Sequence, residues 1–397
     1  MRRLNALSVA AMTLICGCAA MKTPENAEPA GEGRAYQAQY RSTEDDLRDA
    51  RLTRSAVLNA NRCTTASPVS PGAWVPSAEA LSPGDLVSVS VGSDAVFTGA
   101  FEISADGALR LPHLSPLAAL GRDAAALERD VAERLVREGF YRRAPRVSVR
   151  LADPASARIL VSGAVFEPGQ HAIGRVGGED RDTARQDAIG AGGGTRSVSA
   201  ALRAAGGIRP DADLARVRLT RAGKARILDL TGAIGGQAFE DVSLIAGDRV
   251  EVPSRGCFQE ALMVPNAVSP PGVSIYLSNL TKPADANALS AIGRETRQMP
   301  YGARFLQAVT SMNCVGGTQM TNADRYAVLF SRNPMTGASV VIERRIEDLL
   351  RRADRDDLDP YLLPGDAIAC YDSTVTNITD IARSVATVFG AGVLLAL

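Results

Sequence analysis

The sequence predicts an α+β protein made of small mixed-sheet modules and ended by an amphipathic helix. Three observations predict this fold class. A Gly-Asp motif followed by a strand-like run occurs three times in the 397 residues. Hairpin and helix patterns follow the first copy, and residues 373–397 carry an apolar stripe with a polar opposite face. The length suits two or three domains of about 150 residues each, and an apolar content of 46% is enough for packed cores.

The start of the chain has the pattern of an export signal. The apolar run 4–15 is too short to span a bilayer, which needs roughly 20 apolar residues. At its end, Ile15-Cys16-Gly17-Cys18 resembles the bacterial lipobox, so residues 1–17 are the predicted signal peptide and Cys18 the predicted lipidation site. Ala19 rather than Asp after the cysteine favours the outer membrane. An unlipidated export signal is the alternative.

Residues 18–80 follow as a predicted lipid-anchored tether and helix. Small and polar residues up to position 41 suit a flexible link. Ser42–Asp45 has the spacing of a capping box before a helical pattern. The proline-rich stretch 68–83 then interrupts regular structure.

The Gly-Asp motif marks the start of a strand in each module. Each copy is a tight turn followed by alternating apolar residues, which is typical of a strand with one buried face. A carboxylate after a turn glycine accepts local backbone N–H groups, so we interpret these aspartates as structural rather than as acids or bases. The turn residues are Gly84 and Asp85, Gly247 and Asp248, and Gly365 and Asp366.

Between residues 84 and 149 the pattern predicts strands and one helix. Residues 101–112 form a predicted hairpin closed by Asp106-Gly107. Apolar residues recur at helical spacing over 124–135, and 147–151 return to period two. Residues 175–197 are charged and then glycine-rich, which indicates a surface insertion.

Further segments repeat between the second and third modules. The helical pattern 198–205 ends in Gly206-Gly207, and the pattern 305–312 ends near Gly316-Gly317. Glycine suits the end of a helix. The strand pattern 217–221 corresponds to 327–332. The sequence therefore predicts two copies of one small mixed unit.

Composition argues against several functions. Lys plus Arg equals Asp plus Glu at 44 each, which gives no electrostatic case for nucleic-acid binding. The two histidines, His113 and His171, leave little material for a catalytic triad. We expect no catalytic residues, no cofactor and no metal.

The cysteines fit an oxidising compartment. Besides Cys18, a processed chain would hold Cys63, Cys257, Cys314 and Cys370, without CxxC or metal-ligand spacing. Disulfides and buried thiols are both open, and three pairings are possible. Cys257 with Cys314, which would brace the third module, is the preferred pair.

Three motifs together resemble the polysaccharide export protein family, outer-membrane lipoproteins of the Wza type. They are "ISADGALRLP" at 103–112, "FYRRAPRVSV" at 140–149 and "VSGAVFEPGQHAI" at 161–173. The resemblance implies a polysaccharide-export domain at 81–157. It also implies two β-grasp, soluble-ligand-binding domains, at 158–256 and 257–372.

The resemblance also implies a function without a reaction. Such proteins form homo-oligomeric rings, typically octamers, that conduct capsular or extracellular polysaccharide from the periplasm across the outer membrane. They work with an inner-membrane polysaccharide co-polymerase, often a tyrosine autokinase.

The segment 373–397 has features of a pore helix. As a helix it is about 36 Å long, close to the thickness of a bilayer. One chain alone could not sit stably in lipid, because each of its two charged side chains would cost a few kcal/mol there. A ring solves this by turning the polar faces to a water-filled lumen, and the predicted pore-lining residues are Thr376, Asp380, Arg383, Ser384 and Thr387. The alternative is a helix that packs on the periplasmic domains or lies in the membrane surface.

Two other functions stay open. The protein could be a periplasmic ring that docks onto a separate β-barrel exporter. It could also be a monomeric periplasmic module that binds glycan or a small ligand through its β-grasp units.

Overall fold

A computed structural model describes residues 27–28, 74, 76, 80–174, 196–279, 297–312, 314–315, 325–351 and 358–371. The chain divides into two compact units. The central unit is Cys63–Pro271, and the C-terminal unit is Gly272–Leu397 together with Met1–Arg62. The sequence placed a module boundary after residue 256, whereas the units divide after Pro271. The first described strand, β1 (Ala27–Glu28), belongs to the C-terminal unit.

The central unit begins with a three-stranded antiparallel sheet. Its elements are β2 (Leu86–Val91), β3 (Asp94–Glu102), the short pair β4 (Ala108–Leu109) and β5 (Leu117–Ala118), α1 (Ala124–Arg137) and β6 (Val147–Asp153). Strand β2 lies between β3 and β6, and β4 pairs with β5 in a separate ribbon. Asp123 caps α1 by accepting the N–H of Ala126 over 2.6 Å. The helix buries one apolar stripe in the core that the sheet also lines: Leu127, Val131 and Leu135.

The predicted Asp106-Gly107 turn is present between β3 and β4. Gly107 has a φ of 78°, and Ile103 bridges to Leu109 across the turn. A β-carbon at Gly107 would come within 2.6 Å of Leu120, so glycine is required by space as well as by conformation.

A second, five-stranded sheet completes the central unit. It contains β7 (Ala157–Gly163), β8 (Gly169–Ile173), β9 (Val217–Arg221), β10 (Lys224–Leu228) and β11 (Arg249–Val252), with α2 (Val198–Ala204) between β8 and β9. The strand order is β10-β9-β11-β7-β8, in which β11 runs parallel to β7 and the other pairs are antiparallel. Alternate residues of the central strands join α2 in one apolar core: Ile159, Val161, Leu202, Leu219 and Val250.

The C-terminal unit is built on a six-stranded sheet. Its elements are β12 (Val273–Asn279), β13 (Arg297–Met299), α3 (Phe305–Ser311), β14 (Tyr326–Arg332), β15 (Ser339–Arg345), α4 (Ile346–Arg351) and β16 (Ala367–Tyr371). The strand order is β1-β15-β14-β16-β12-β13. Strand β16 runs parallel to β12, and β1 adds a parallel edge beside β15.

The second and third sheets share one topology. When β1 is set aside, the orders β10-β9-β11-β7-β8 and β15-β14-β16-β12-β13 correspond strand for strand, with the same directions. In both, a hairpin, a helix and a second hairpin precede a last strand that is parallel to the first. The predicted α+β class is confirmed, because the described residues form a few short helices and several mixed sheets.

Several predicted segments lie outside the described residues. They are the signal peptide with Cys18, most of the tether and its capping box, most of the insertion at 175–197, and the segment 373–397 with all five predicted pore-lining residues. Among the residues that the structure describes, no helix is long and apolar enough to cross a membrane.

Candidate functional site

The three Gly-Asp turns have one geometry. Each aspartate is almost completely buried and accepts, through its side chain, the backbone N–H of the residue three positions earlier, over 2.8 to 2.9 Å. Each glycine takes a left-handed conformation, with φ of 85° at Gly84, 89° at Gly247 and 87° at Gly365. A buried carboxylate also needs a partner for its charge. The three turns solve this differently.

In the first turn the partner comes from the next module. Arg196, which precedes α2, donates to both carboxylate oxygens of Asp85, with Nη1–Oδ1 at 2.7 Å and Nη2–Oδ2 at 3.1 Å. Both side chains are at most 1% exposed. The N–H of Ala155 donates to the same carboxylate over 2.8 Å. This bidentate ion pair therefore joins the two sheets of the central unit.

Gly174 leaves the room that Arg196 needs. Its φ is 99°, and a β-carbon there would come within 2.4 Å of Cγ of Arg196. Strand β8 ends one residue earlier, at Ile173. The residue that follows the strand therefore packs against the ion pair between the two modules.

In the second turn the partner comes from the same module. Arg221, the last residue of β9, donates to Asp248 from Nε and Nη2 over 2.9 and 2.7 Å. Its Nη2 also donates to the carbonyl of Ser243 over 2.7 Å. The guanidinium lies 5.8 Å from the ring centre of Trp74, which packs against the core of the second sheet.

In the third turn a hydroxyl stands where the second turn has a guanidinium. Thr220 pairs with Arg249 and Phe330 pairs with Ala367, so Ser331 in β14 occupies the place of Arg221 in β9. Its Oγ donates to Oδ1 of Asp366 over 2.5 Å. Burial raises the pKa of Asp366 from 3.8 to about 7, although the N–H of Leu363 and the hydroxyl of Ser331 favour the charged form.

A charged cleft of 210 Å³ lies along α1. Arg122 pairs with Asp130, and Arg137 lies 3.9 Å from Glu133, in each case between side-chain nitrogen and oxygen. The full lining is Leu117, Ala118, Arg122, Asp130, Glu133, Arg134 and Arg137. Alternating guanidinium and carboxylate groups can donate to and accept from sugar hydroxyls, and their charges largely balance.

The "FYRR" motif packs on the β2–β3 hairpin. The ring of Phe140 meets that of Phe97 edge-on, with centres 5.4 Å apart. The hydroxyl of Tyr141 donates to Oδ2 of Asp94 over 2.7 Å, which lowers the pKa of Asp94 and raises that of Tyr141. Arg142 and Arg143 are exposed. The aromatic pair is thus structural, and the arginine pair faces solvent.

The two histidines lie in different elements of the central unit. His113 is exposed in the loop after β4, with a φ of 60°. His171 lies in β8, where its Nε2 is 2.8 Å from the carbonyl oxygen of Glu167. In the described part of the chain, no group of three or more His, Cys, Asp or Glu side chains could hold a metal ion.

The preferred disulfide, Cys257 with Cys314, is wrong. Cys314 is bonded to Cys370, with the two α-carbons 6.2 Å apart. The physical reason is that α3 packs against β16, so that the residues after the helix and at the end of the strand meet. Cys257 belongs to the central unit and forms a disulfide with neither of these cysteines.

Sequence reasoning missed the partners of the buried aspartates. Arg196 is 111 positions from Asp85, inside a stretch that was interpreted as a surface insertion. The sequence did predict that the strand 217–221 corresponds to 327–332, which makes Arg221 and Ser331 equivalent. Only the register of the strands shows that both side chains face the turn aspartate.

These features define a modular α+β protein in which buried carboxylates stabilise short turns. One of them, Asp85, also connects two modules through its ion pair with Arg196. The module formed by the first sheet and α1 contains two of the three motifs that resemble the polysaccharide export family.

Residues 75–152 match the family described as polysaccharide biosynthesis/export protein. The resemblance drawn from the sequence is therefore confirmed, and the chain carries an export domain of this family, made of the first sheet and α1. The match supports a general role in polysaccharide export, in a transport family associated with the cell envelope. No curated protein matches the chain.

Proposed function

We propose that the protein is an outer-membrane lipoprotein that forms an oligomeric ring through which capsular or extracellular polysaccharide leaves the periplasm. The observation that carries this proposal is the export-domain match over residues 75–152. Lipidation at Cys18 anchors the ring, and an inner-membrane co-polymerase delivers the polymer. No chemical step is assigned to the protein.

The arrangement of the modules supports this role. We assign 81–157 to the export domain and 158–256 and 257–372 to two β-grasp-like domains, on the strength of the strand order that the second and third sheets share. The buried Asp85–Arg196 pair fixes the export domain to the first of them. A ring subunit needs such rigidity, because a flexible joint between modules would spread the contacts to its neighbours over many geometries.

The disulfide chemistry supports an exported protein. Cys314 and Cys370 are bonded, and Cys257 is bonded as well. Disulfides persist in the periplasm and are rare in the bacterial cytosol. This agrees with the signal and lipobox patterns at residues 1–18.

The pore is assigned to the segment 373–397. In a ring, its polar face would line the lumen through Thr376, Asp380, Arg383, Ser384 and Thr387, and its apolar face would meet lipid. The copy number, eight, rests on the family resemblance.

Electron microscopy of the lipoprotein in mild detergent tests the proposal. We expect a closed ring with a detergent-embedded tip, and loss of the tip in a variant that ends at Asp372. The matched control is the full-length variant Asp380→Asn/Arg383→Gln, which removes both charges but keeps polar side chains. It should keep the tip while changing the ion selectivity of the reconstituted channel.

Other outcomes select the alternatives. A ring that is unchanged by truncation would move the pore to a partner barrel. A monomer with saturable glycan binding would favour a binding module, for which the charged cleft on α1 is the first candidate site.

A further inference from the structure

The loop after α1 and the strand that follows it carry a concentration of positive charge. We call arginine cluster the exposed side chains of Arg142, Arg143, Arg146 and Arg150. No Asp or Glu occurs among residues 139–152, which contain all four. Because the whole chain has no net charge at pH 7, the cluster is a local feature of the export domain and not a sign of general basicity.

The loop that carries the first two arginines is held at both ends by the β2–β3 hairpin. At its start, the hydroxyl of Tyr141 donates to Oδ2 of Asp94 over 2.7 Å. At its end, the N–H of Gly92 donates to the carbonyl of Arg146 over 3.0 Å. Arg142 and Arg143 lie between these two contacts. Their positions are therefore fixed before any ligand arrives, which reduces the entropy cost of binding.

The cluster continues along β6 on the outer face of the first sheet. Three alternate residues of this strand pack in or against the core: Val147, Val149 and Leu151. Because side chains alternate along a strand, Arg146, Ser148 and Arg150 point the other way. The four residues from Arg146 to Arg150 span about 13 Å. Ser90 pairs with Ser148 and Ser88 pairs with Arg150, so short hydroxyl side chains lie beside the guanidinium groups.

The four guanidinium groups form no hydrogen bond or ion pair with any residue that the structure describes. Most carboxylates of the export domain, in contrast, are already engaged within the described part of the chain. They are Asp85, Asp94, Asp106, Asp123, Glu128, Asp130, Glu133 and Glu138. Of these, Asp94 contacts the arginine loop itself and offsets one charge at most. The cluster therefore keeps an excess of positive charge.

The chemistry of the cluster fits a ligand with several anionic groups. A guanidinium group binds carboxylate, sulfate or phosphate with two parallel hydrogen bonds. A second copy of the central unit offers few such groups, because its carboxylates without a side-chain contact to a described residue lie singly in three different elements. They are Glu102, Glu167 and Glu251. A charged polymer presents anionic groups in a row, as the cluster presents cations.

We propose that the arginine cluster binds the exported polymer and that this polymer is anionic, with carboxylate, sulfate or phosphate groups along its chain. The guanidinium groups contact the anionic groups, and the hydroxyls of Ser88 and Ser90 are placed to exchange hydrogen bonds with sugar hydroxyls. The inference rests on the proposed export function, to which it adds the charge of the substrate and a contact site on the export domain.

Binding of defined polymers to the intact lipoprotein in mild detergent tests the proposal. The probes are polygalacturonate, dextran sulfate and neutral dextran of similar length, titrated by calorimetry. The variants are Arg142→Gln/Arg143→Gln and Arg146→Gln/Arg150→Gln. The matched control is Arg158→Gln/Arg249→Gln, which removes two exposed arginines of the second sheet that also form no side-chain contact with a described residue.

We expect at least one anionic polymer to bind more tightly than dextran, with an affinity that falls as salt is added. Each cluster variant should lower this affinity about tenfold, because two charge-assisted contacts are lost. The control should bind as the natural chain does. Equal affinity for dextran, or an equal loss in the control, would overturn the proposal.

A subunit contact is the other role that the experiment can reveal. If the cluster variants bind the polymers normally but change the oligomeric state, the arginines hold neighbouring subunits together and the proposal is overturned. The export function is judged separately, by the ring and its detergent-embedded tip. A ring that stands while polymer binding is insensitive to the cluster would therefore refute this inference alone.

Discussion

The burial of Asp366 predicts that the free energy of unfolding of the C-terminal unit depends on pH. The pKa of Asp366 is raised from 3.8 to about 7 because the carboxyl is buried, and its side-chain partner among the described residues is the hydroxyl of Ser331. Between these values the folded unit holds a proton that the unfolded chain releases. The contribution of Asp366 to the free energy of unfolding is therefore fully present below about pH 4 and is lost as the pH rises through 7. A difference of about three pKa units corresponds to about 4 kcal/mol, which is the upper end of the expected loss.

The perturbation is Asp366→Asn. The amide oxygen can take the place of Oδ2 and accept from Leu363, while the amide NH2, in the place of Oδ1, can donate to the hydroxyl of Ser331. The side chain stays neutral at every pH. We expect the variant to be more stable than the natural chain at pH 8, by up to about 4 kcal/mol, and nearly equal to it at about pH 4. Glu343, whose pKa burial also raises, leaves a smaller dependence of the same sign.

Urea denaturation from about pH 4 to about pH 8 measures the effect. Trp74, the single tryptophan, reports the central unit by fluorescence, and circular dichroism reports both units. The control is Asp248→Asn, which strands Arg221 in the core of the central unit and should lower its stability by about 3–5 kcal/mol. If Asp366→Asn leaves the slope of stability against pH unchanged, burial of Asp366 is not its origin and the reasoning fails.

Three further predictions concern interactions that stabilise one or the other unit from within. Arg196→Met should lower the stability of the central unit by about 3–5 kcal/mol, read from Trp74 fluorescence, and adding Asp85→Asn should recover part of the loss. Gly174→Ala should cost about 1–3 kcal/mol by the same assay, through its φ of 99° and its collision with Arg196, and a normal midpoint would contradict this. Cys314→Ser/Cys370→Ser opens a loop that the disulfide closes over a sequence separation of 56, and should cost the C-terminal unit about 4 kcal/mol in circular dichroism while the Trp74 transition stays in place.

Local features of the fold could be predicted because their causes are local. The Asp106-Gly107 turn, the stripe Leu127, Val131 and Leu135 on α1, and the strands after each Gly-Asp turn all follow from residues a few positions apart. Glycine at a left-handed position and apolar spacing of 3.6 or 2 act within one element. Neither signal depends on which distant segments of the chain pack together.

Long-range pairings could not be predicted for the same reason. The Asp85–Arg196 pair and the Cys314–Cys370 bond join residues whose proximity is set by sheet order and by the packing of α3. Cys257 was expected in the third module because the boundary was placed at 256, whereas the compact units divide after Pro271, so that Cys257 lies in the central unit. A boundary at 271 rather than at 256 is enough to place the two cysteines of an expected disulfide in different units.

The departures of the third module from the second all converge on one strand. Strand β16 follows the turn aspartate whose side-chain partner among the described residues is the hydroxyl of Ser331. It presents Ala367 and Ala369 where β11 presents Arg249 and Glu251, and it carries the disulfide-bonded Cys370 next to its last residue, Tyr371. The disulfide joins the end of β16 to the residues that follow α3. The turn before β16 is held by the contacts of Asp366 with Leu363 and Ser331, and burial raises the pKa of this aspartate to about 7. Strand β16 is therefore constrained at both ends.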